Sequence, residues 1–527
     1  MSSPKRIDPG FWRMAPGEAT PFVSLRNYLS APHSDGPKGQ IGVTTEDLAT
    51  LANIRLRGMH VRLVIGPAAA EDFLETGGAG NKTDALPHLA LINLASFLRA
   101  YGARITVHDS FVSGDFTDAE KAIVSDLGRM RNALGGHVDP ELDDIIARWQ
   151  ALVNAGDADL VGFSSCNEAD QLSLVLLKRR LLADGVETPL VMGGYLNIDE
   201  MTPWLGELDA VVAGEGEVPL LLICNTLMER RGAERGGLAW IPGVVAENNG
   251  RWQSSSLAQS MNVRTPPSLE GFELSRYSYQ TYAGFDGVTI PYQMSVGCPY
   301  NCAYCNNAHK RRYKLRHPTL VLRDLDRLRA GYGVSRLFLL NSAFNCDKAY
   351  AETITRGLIA AGSPFRWCDC ARPTRIRPEA FQRMRRAGCE WLNWGYDTLS
   401  NRLSRIYGRR VMSEHFGQVL ADSAAAGIRN SINVVVGMPH ENEDDVTALL
   451  EFFERHHKGI HWVFYLHYNF IAHSDIGRFP GRYGLVRRRD GAGVDEEGGM
   501  TWPERQQRGR EYMRRIKETL AERYGYY

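Results

Sequence analysis

Three cysteines in the middle of the chain have a spacing that suits iron–sulfur chemistry. Cys298, Cys302 and Cys305 form a CxxxCxxC pattern. Three thiolates on one short loop can bind three irons of a [4Fe-4S] cluster and leave the fourth iron open, because soft sulfur ligands select such clusters or zinc over hard cations. A structural zinc site needs four ligands, and the nearest candidate, His309, lies at an unusual offset for the paired CxxC pattern. The pattern therefore favours a catalytic cluster, with structural zinc as the alternative.

The cysteine segment also resembles the signature of the radical S-adenosylmethionine (SAM) enzymes, whose free iron chelates the amino and carboxylate groups of SAM. In that family the aromatic residue before the third cysteine, here Tyr304, packs against adenine. The resemblance places further SAM-binding candidates at Asn341, Arg372, Asp397, Gly437 and Pro439. Arg372 would bind a carboxylate, since a guanidinium matches that shape.

Two of these positions depart from the family pattern. Asn341 stands where relatives have an acidic pair. Asp397 takes the place of a glutamate that holds the SAM ribose, so the charge is kept while the reach is shorter. The alternative role for Asp397 is to cap a helix that begins near Leu399, because aspartate is a good N-cap.

The region before the cysteines has the rhythm of a parallel α/β sheet. From Val61, short β-branched runs alternate with amphipathic stretches. The strands are predicted at 61–65, 104–107, 160–163, 189–192 and 210–212. Apolar residues at three- and four-residue spacing predict helices over 90–100 and 169–179 that cover the sheet. Ligands of such doubly wound domains bind beyond the carboxyl ends of the strands.

Small residues follow these strands, in an order that resembles the cobalamin-binding domain found ahead of many radical SAM domains. The resemblance covers about 85–245 and implies cobalamin contacts at Ser164, Ser165, Cys166, Gly193, Gly194, Glu215, Gly216 and Glu217. The Asp-x-His-x-x-Gly element of the cobalamin mutases is absent, since His108 precedes Asp109. The resemblance therefore implies a cobalt without a histidine ligand. The alternative is that the glycines only make tight turns, and that Cys166 is a small buried residue.

A second α/β unit contains the cysteine loop. Its strands are predicted at 292–295, 336–340, 365–368, 390–393, 432–436 and 462–466. Six parallel strands indicate a partial (β/α) barrel, in which chemistry occurs at the carboxyl ends of the strands. Tyr465 and His467 end the sixth strand and are the candidates for substrate contact or proton transfer. The remaining cysteines of this unit, Cys346, Cys368, Cys370 and Cys389, are interpreted as packing residues.

The predicted fold class is α/β. It comprises an N-terminal extension (1–58), a Rossmann-like cobalamin-binding domain (59–246), a linker (247–286), a partial (β/α)6 radical SAM barrel (287–474) and a helical C-terminal segment (475–527). A short helix is predicted near Thr45 and a final helix from Pro503 to Arg523. Because C-terminal tails in this family often close over the substrate cavity, the last segment is a candidate for specificity.

Composition narrows the choice of partners. Lys plus Arg and Asp plus Glu both total 61, so no net basic charge attracts nucleic acid or an anionic membrane. No run of about 18 apolar residues occurs, and the start of the chain lacks the apolar core of a signal peptide. Nine irregularly spaced cysteines do not resemble a secreted disulfide framework. A cytoplasmic monomer with a small-molecule substrate is expected.

The resemblance implies a cobalamin-dependent radical SAM methyltransferase that modifies an unactivated carbon of a small biosynthetic intermediate. Its cofactors would be a [4Fe-4S] cluster, SAM and cobalamin, with an external electron donor such as a ferredoxin or flavodoxin. One alternative keeps these cofactors but catalyses a cyclisation, ring contraction or oxidation. A second is a cobalamin-binding sensor or carrier with a structural cluster. A tRNA methylthiotransferase would show a further N-terminal cysteine set, whereas only Cys166 and Cys224 precede Cys298.

Overall fold

A computed structural model describes most of the chain from Leu51 onwards. The described residues are 51, 53–68, 86–165, 167–194, 207–212, 215–229, 238, 241, 244–248, 251–254, 265–277, 288–305, 313–409, 413–472, 474–489, 491 and 493–526. They form two compact units. The first holds the described residues up to Tyr277, and the second holds nearly all of those from Thr289 onwards. The helix predicted near Thr45 lies largely outside the described residues.

The first unit is built on a seven-stranded sheet. Its strands are β1 (His60–Ile65), β2 (Arg104–Asp109), β3 (Leu160–Ser165), β4 (Leu190–Gly194), β5 (Ala210–Val212), β6 (Val244–Asn248) and β7 (Arg251–Ser254). The spatial order is β2-β1-β3-β4-β5-β6-β7, and the first five are parallel. The order 2-1-3-4-5 is that of a doubly wound fold, with its topological switch between β1 and β3. The predicted Rossmann-like sheet is confirmed.

Six α-helices are described in this unit, and side chains cap four of them, those that begin at Asp118, Leu127, Pro140 and Glu168. Their bounds are Leu89–Ala100, Asp118–Ser125, Leu127–Leu134, Pro140–Val153, Glu168–Ala183 and Glu217–Glu229. Thr117 and Glu120 form a capping box, and Asn167 accepts a hydrogen bond from the amide of Asp170. Trp149 is fully buried and packs edge to face on Phe163, with ring centroids 5.6 Å apart. The apolar periodicity therefore marks the helix faces that cover the sheet.

The last two strands of this sheet cross the predicted start of the linker at residue 247. β6 pairs antiparallel with β5, and β7 pairs antiparallel with β6. An edge hairpin is held by backbone hydrogen bonds and needs no continuous apolar run. The polar composition from residue 247 onwards therefore led to the prediction of a linker where the structure has a hairpin.

The second unit contains a six-stranded parallel sheet. The strands of this sheet are β8 (Ile290–Tyr292), β11 (Arg336–Leu339), β12 (Arg366–Ala371), β13 (Cys389–Asp397), β14 (Arg429–Val436) and β15 (Trp462–His467). Two short strands between β8 and β11, β9 (Ser295–Val296) and β10 (Lys314–Leu315), form a separate antiparallel pair. The sheet order is β15-β14-β13-β12-β11-β8, every neighbouring pair being parallel. This sheet confirms the predicted barrel-like domain. Its first strand ends at Tyr292, three residues before the predicted end.

Helices join the strands and complete the chain. Those between strands are Pro318–Tyr332, Lys348–Ala360, Pro378–Arg386, Asn401–Ile406, Ser413–Ala425 and Glu443–His456. The C-terminal segment has a short helix, Asp475–Arg478, an antiparallel pair β16 (Leu485–Arg487) and β17 (Val494–Glu496), and a final helix, Trp502–Tyr524. Thr501 and Glu504 form a capping box at the start of that helix. No helix in the described part of the chain is long and apolar enough to span a bilayer.

Candidate functional site

The cysteine loop follows β9 at the carboxyl side of the first barrel strand. Gly297 turns the chain into the loop with φ of 74°, and Ser342 donates a hydrogen bond to its carbonyl over 2.8 Å. Cys302 is buried, whereas Cys298 and Cys305 are partly exposed, and none of the three forms a disulfide. The amide of Ala303 bonds to the carbonyl of Tyr407 over 3.0 Å. Tertiary contacts therefore fix both ends of the loop.

Asn341 holds the entry to this loop. Its Oδ1 accepts hydrogen bonds from the amides of Met294 and Ser295, each over 3.0 Å. Its Nδ2 donates to Oδ2 of Asp369 over 2.6 Å, and burial raises the pKa of that carboxyl well above its usual range. These bonds draw the chain out of the sheet after Tyr292, which accounts for the early end of β8. The side chain of Asn341 is committed to shaping the loop.

Two buried arginines approach the sulfur of Cys302. Nη1 of Arg372 lies 3.7 Å from Sγ, and Nη1 of Arg409 lies 3.8 Å from it. Arg372 also lies over the ring of Tyr300, 3.8 Å from its centroid, and donates to the carbonyl of Arg409. Asn345 clamps the backbone of Arg372 through bonds of 2.8 and 2.7 Å to its amide and carbonyl. A thiolate at Cys302 would therefore face two positive charges.

Arg409 also joins two of the residues predicted to bind SAM. Its Nη1 donates to the hydroxyl of Tyr304 over 2.7 Å and forms a close ion pair with Asp397. The Tyr304 hydroxyl donates to the same carboxylate. Burial opposes the charge of Arg409, but Asp397, Tyr304 and Cys302 outweigh burial and raise its pKa. For Tyr304, burial disfavours the charged phenolate and raises the pKa well above its usual value.

The sequence analysis missed Arg409. It stands in the run Gly408-Arg-Arg410, where its type does not distinguish it from exposed neighbours such as Arg405. The nearby helix Asn401–Ile406 is capped by Ser400, which accepts a hydrogen bond from the amide of Leu403. Asp397 therefore does not serve as the cap, and its φ of 47° turns the chain out of β13.

The turn after β14 carries Gly437 and Pro439. Gly437 has φ of 87°, and its amide donates to Oε2 of Glu441 over 2.6 Å. The carbonyl of Pro439 accepts a hydrogen bond from Tyr407, whose ring meets that of Tyr304 edge to face at 5.8 Å. Burial raises the pKa of Glu441 to about 8. Tyr407 thus contacts both the β14 turn, through the carbonyl of Pro439, and the ring of Tyr304.

Tyr465 and His467 lie beneath the final helix. A Cβ on Gly437 would come within 2.9 Å of Nε2 of His467, and one on Gly509 within 2.5 Å. His467 therefore occupies a slot between the β14 turn and Gly509 of that helix. The ammonium of Lys517 lies 5.5 Å from the ring centroid of Tyr465, and burial raises the pKa of Tyr465.

The C-terminal segment packs against the cysteine loop. The amide of Ile476 donates to the carbonyl of Ala303 over 3.0 Å. Leu485 and Val494 belong to the same apolar cluster as Cys302, Ala303 and Tyr304. The C-terminal segment therefore covers part of the cysteine loop.

Cys346 lies beside the cysteine triplet, contrary to its interpretation as a packing residue. A hydrogen bond with Cys346 lowers the pKa of the Cys298 thiol to about 6. Cys368 and Cys389 are fully buried, in line with packing. Among the described residues, no group of three or more His, Cys, Asp or Glu side chains could hold one metal ion. In a [4Fe-4S] cluster each cysteine binds a different iron.

In the first unit, the candidate cobalamin residues lie at the carboxyl ends of β3 and β4. Ser164 pairs with Gly193, and Ser165 pairs with Gly194. Gly194 has φ of 99°, and a Cβ there would meet the carbonyl oxygen of Ser165 at 2.3 Å, so only glycine fits. Among the described residues, a Cβ on Gly193 would meet Val212 at 3.8 Å, which is an ordinary van der Waals distance.

Other residues of this edge are placed in part. The hydroxyl of Ser164 is buried and has no hydrogen-bond partner among the described residues. Glu215 and Gly216 precede the helix that begins at Glu217, where they reach the same edge after β5. Cys166 lies outside the described residues. Such an edge, with small residues and an orphaned hydroxyl, is compatible with a bound ligand.

Comparison with known proteins identifies the class of the second unit. Residues 292–453 match the family model described as the radical SAM superfamily. The chain therefore contains a radical SAM domain.

Solved structures extend the likeness to both units. A radical SAM methyltransferase from Kitasatospora setae, TsrM, superposes with a TM-score of 0.54 at 18% identity, over 80% of this chain and 75% of that one. The cobalamin-dependent radical SAM enzyme OxsB gives a TM-score of 0.56 at 16% identity, over 94% and 61%. The chain shares the fold of cobalamin-dependent radical SAM enzymes.

The curated relatives match only part of this chain and only part of their own length. An uncharacterized methyltransferase of Pyrococcus horikoshii is 24% identical over 46% of this chain and 52% of its own length. The cytidylyl-2-hydroxyethylphosphonate methyltransferase of Streptomyces wedmorensis is 22% identical over 67% and 69%. The chain spans about half the length of the first of these.

Proposed function

We propose that this protein is a cobalamin-dependent radical SAM methyltransferase acting on an unactivated carbon of a small biosynthetic intermediate. The observation that carries the proposal is the cysteine triplet on a radical SAM domain, joined in one chain to a doubly wound sheet with a glycine-rich carboxyl edge. TsrM and OxsB share this fold; TsrM is a radical SAM methyltransferase, and OxsB is a cobalamin-dependent radical SAM enzyme. In this proposal the cobalamin-binding domain is 59–246, extended by the β6–β7 hairpin, and the radical SAM domain is 287–474.

The residues present fit a [4Fe-4S] cluster. Cys298, Cys302 and Cys305 would hold it, and none of the three is tied up in a disulfide. Two guanidiniums lie beside Cys302, with nitrogens 3.7 and 3.8 Å from its sulfur. When bound, the cluster and SAM supply a carbon-centred radical, and cobalamin supplies the methyl group.

The proposed SAM site surrounds the group formed by Tyr304, Tyr407 and the β14 turn. Tyr304 and Gly437 would border adenine, and Pro439 shapes the turn through its bond with Tyr407. Asp397 would bind the ribose while keeping its ion pair with Arg409. Arg372, already held over Tyr300, would present a cation to the SAM carboxylate. Asn341 would position the cysteine loop.

The proposed cobalamin site lies at the carboxyl edge of the first sheet. Ser164 offers a buried hydroxyl, and Gly193 pairs with Ser164 on the neighbouring strand. Within the described residues no histidine stands at a β3 or β4 end. An external one-electron donor, such as a ferredoxin or flavodoxin, would complete the system. Tyr465 and His467, beneath the final helix, remain candidates for contact with the small-molecule substrate.

The test is anaerobic reconstitution of the full chain with iron, sulfide and hydroxocobalamin. Wild type should hold about four irons and one cobalamin and, with dithionite and SAM, should release 5'-deoxyadenosine. The triple alanine variant of the cysteines should lose iron and SAM cleavage while retaining cobalamin. Retention of iron by that variant would overturn the cluster assignment. In bacterial extract, a product heavier by one methyl group separates methyl transfer from cyclisation or oxidation, and absence of SAM cleavage would favour a sensor.

A further inference from the structure

We infer that Arg409 and Asp397 set the reduction potential of the cluster with opposite signs. This inference rests on the cluster proposed at Cys298, Cys302 and Cys305. Arg409 would favour the reduced cluster, and Asp397 would favour the oxidised one. Both are positioning residues here, because each acts on the cluster through its field or through the sulfur of Cys302.

The geometry places both charges beside one ligand. Nη1 of Arg409 lies 3.8 Å from Sγ of Cys302 and also pairs with the Asp397 carboxylate. The side chain of Arg409 is 7% exposed and that of Asp397 is 16% exposed. Water therefore screens neither charge well. Arg372 adds a second guanidinium 3.7 Å from the same sulfur.

The sign follows from the charge that reduction adds. One electron passes from the reductant to the cluster, and no atom is gained or lost. A nearby cation stabilises the added negative charge and raises the potential, and a carboxylate does the reverse. Hydrogen bonds to the sulfurs and net charge are established determinants of cluster potential. Because Arg409 and Asp397 neutralise each other, removing one exposes the cluster to the other.

A merely structural ion pair would behave differently. If Arg409 only stabilised Asp397, removing either residue would loosen the same contact, and both substitutions would change the potential in the same direction or leave it unchanged. The nitrogen Nε of Arg409 is buried and has no hydrogen-bond partner among the described residues. Arg409 is thus held at Cys302 with only part of its donor capacity used.

The experiment compares variants of the reconstituted full chain without SAM. The variants are Arg409→Gln, Arg409→Lys, Asp397→Asn and Arg372→Gln, with the exposed Arg405→Gln as the matched control. Iron and sulfide are counted first. The potential is then titrated with redox mediators, and the reduced cluster is followed by electron paramagnetic resonance.

Arg409→Gln and Arg372→Gln should each lower the equilibrium constant for reduction of the cluster about tenfold, which lowers the reduction potential by about 59 mV for one electron. Asp397→Asn should raise it, and Arg409→Lys and Arg405→Gln should stay near wild type. Shifts of equal sign in Arg409→Gln and Asp397→Asn, or no shift in either, would overturn the inference. If Arg409→Gln loses iron, Asp397→Asn decides the inference: a raised potential supports it, and an unchanged or lowered potential overturns it. Absence of a cluster in wild type contradicts the proposed function instead.

Discussion

Substitution of Asn341 by alanine should open the entry to the cysteine loop. The change removes the acceptor of two backbone amides, those of Met294 and Ser295, and a donor to the fully buried Asp369. A buried donor left without a partner costs about 1 to 3 kcal/mol. The two amides together therefore predict about 2 to 6 kcal/mol of local destabilisation. That is a large part of the roughly 5 to 15 kcal/mol that stabilises a typical domain.

The assay is hydrogen exchange of the full chain, read by mass spectrometry on the peptide that contains Met294 and Ser295. Each 1.4 kcal/mol corresponds to about a tenfold change in an opening equilibrium, so exchange should accelerate by roughly 30-fold or more. Ser342→Ala is the control, since it removes one hydroxyl donor from the carbonyl of Gly297. Its expected cost is about 1 kcal/mol. Wild-type protection of this peptide in Asn341→Ala would refute the reasoning.

Three further predictions concern SAM, pH and cobalt. Asp397→Asn should weaken SAM binding about tenfold or more, because a neutral contact replaces a charge-assisted one worth about 1 to 3 kcal/mol. The control is Ser400→Ala, which removes a helix cap and a hydrogen bond to Asp445; it should leave the dissociation constant of SAM unchanged in calorimetry. Burial raises the pKa of Glu441 to about 8, so the folded protein binds this proton more tightly than the unfolded chain does. The protonated Glu441 therefore contributes its full stabilisation below the unfolded pKa of about 4.5, and this contribution falls as pH rises towards 8. In urea unfolding measured across this pH range, Glu441→Gln should make the free energy of unfolding depend less on pH. An unaltered pH dependence contradicts the raised pKa of Glu441. Paramagnetic resonance of the Co(II) form should lack nitrogen splitting from an axial ligand, and its presence would exclude a cobalt without a histidine ligand.

Local patterns in the sequence predicted most of the fold. The strands of the first sheet follow short β-branched runs, and the helix from Leu89 to Ala100 follows apolar residues at three- and four-residue spacing, because one face of it is buried. The cysteine triplet predicted its chemistry for a similar reason, because all three ligands lie on one short loop. The β6–β7 hairpin escaped because backbone pairing at a sheet edge leaves little trace in composition.

Only the tertiary structure decided how the site is held together. Asn341 reads as a lost acidic residue in the sequence, yet it anchors the cysteine loop through two amides that lie 46 or more positions away. Arg409 resembles its exposed neighbours in composition, yet it meets Cys302, Tyr304 and Asp397 at one nitrogen. Burial and charge pairing depend on segments brought together from different strands, and no spacing along the chain encodes them. The sequence therefore determined which chemistry is possible, and packing decided which charges surround it.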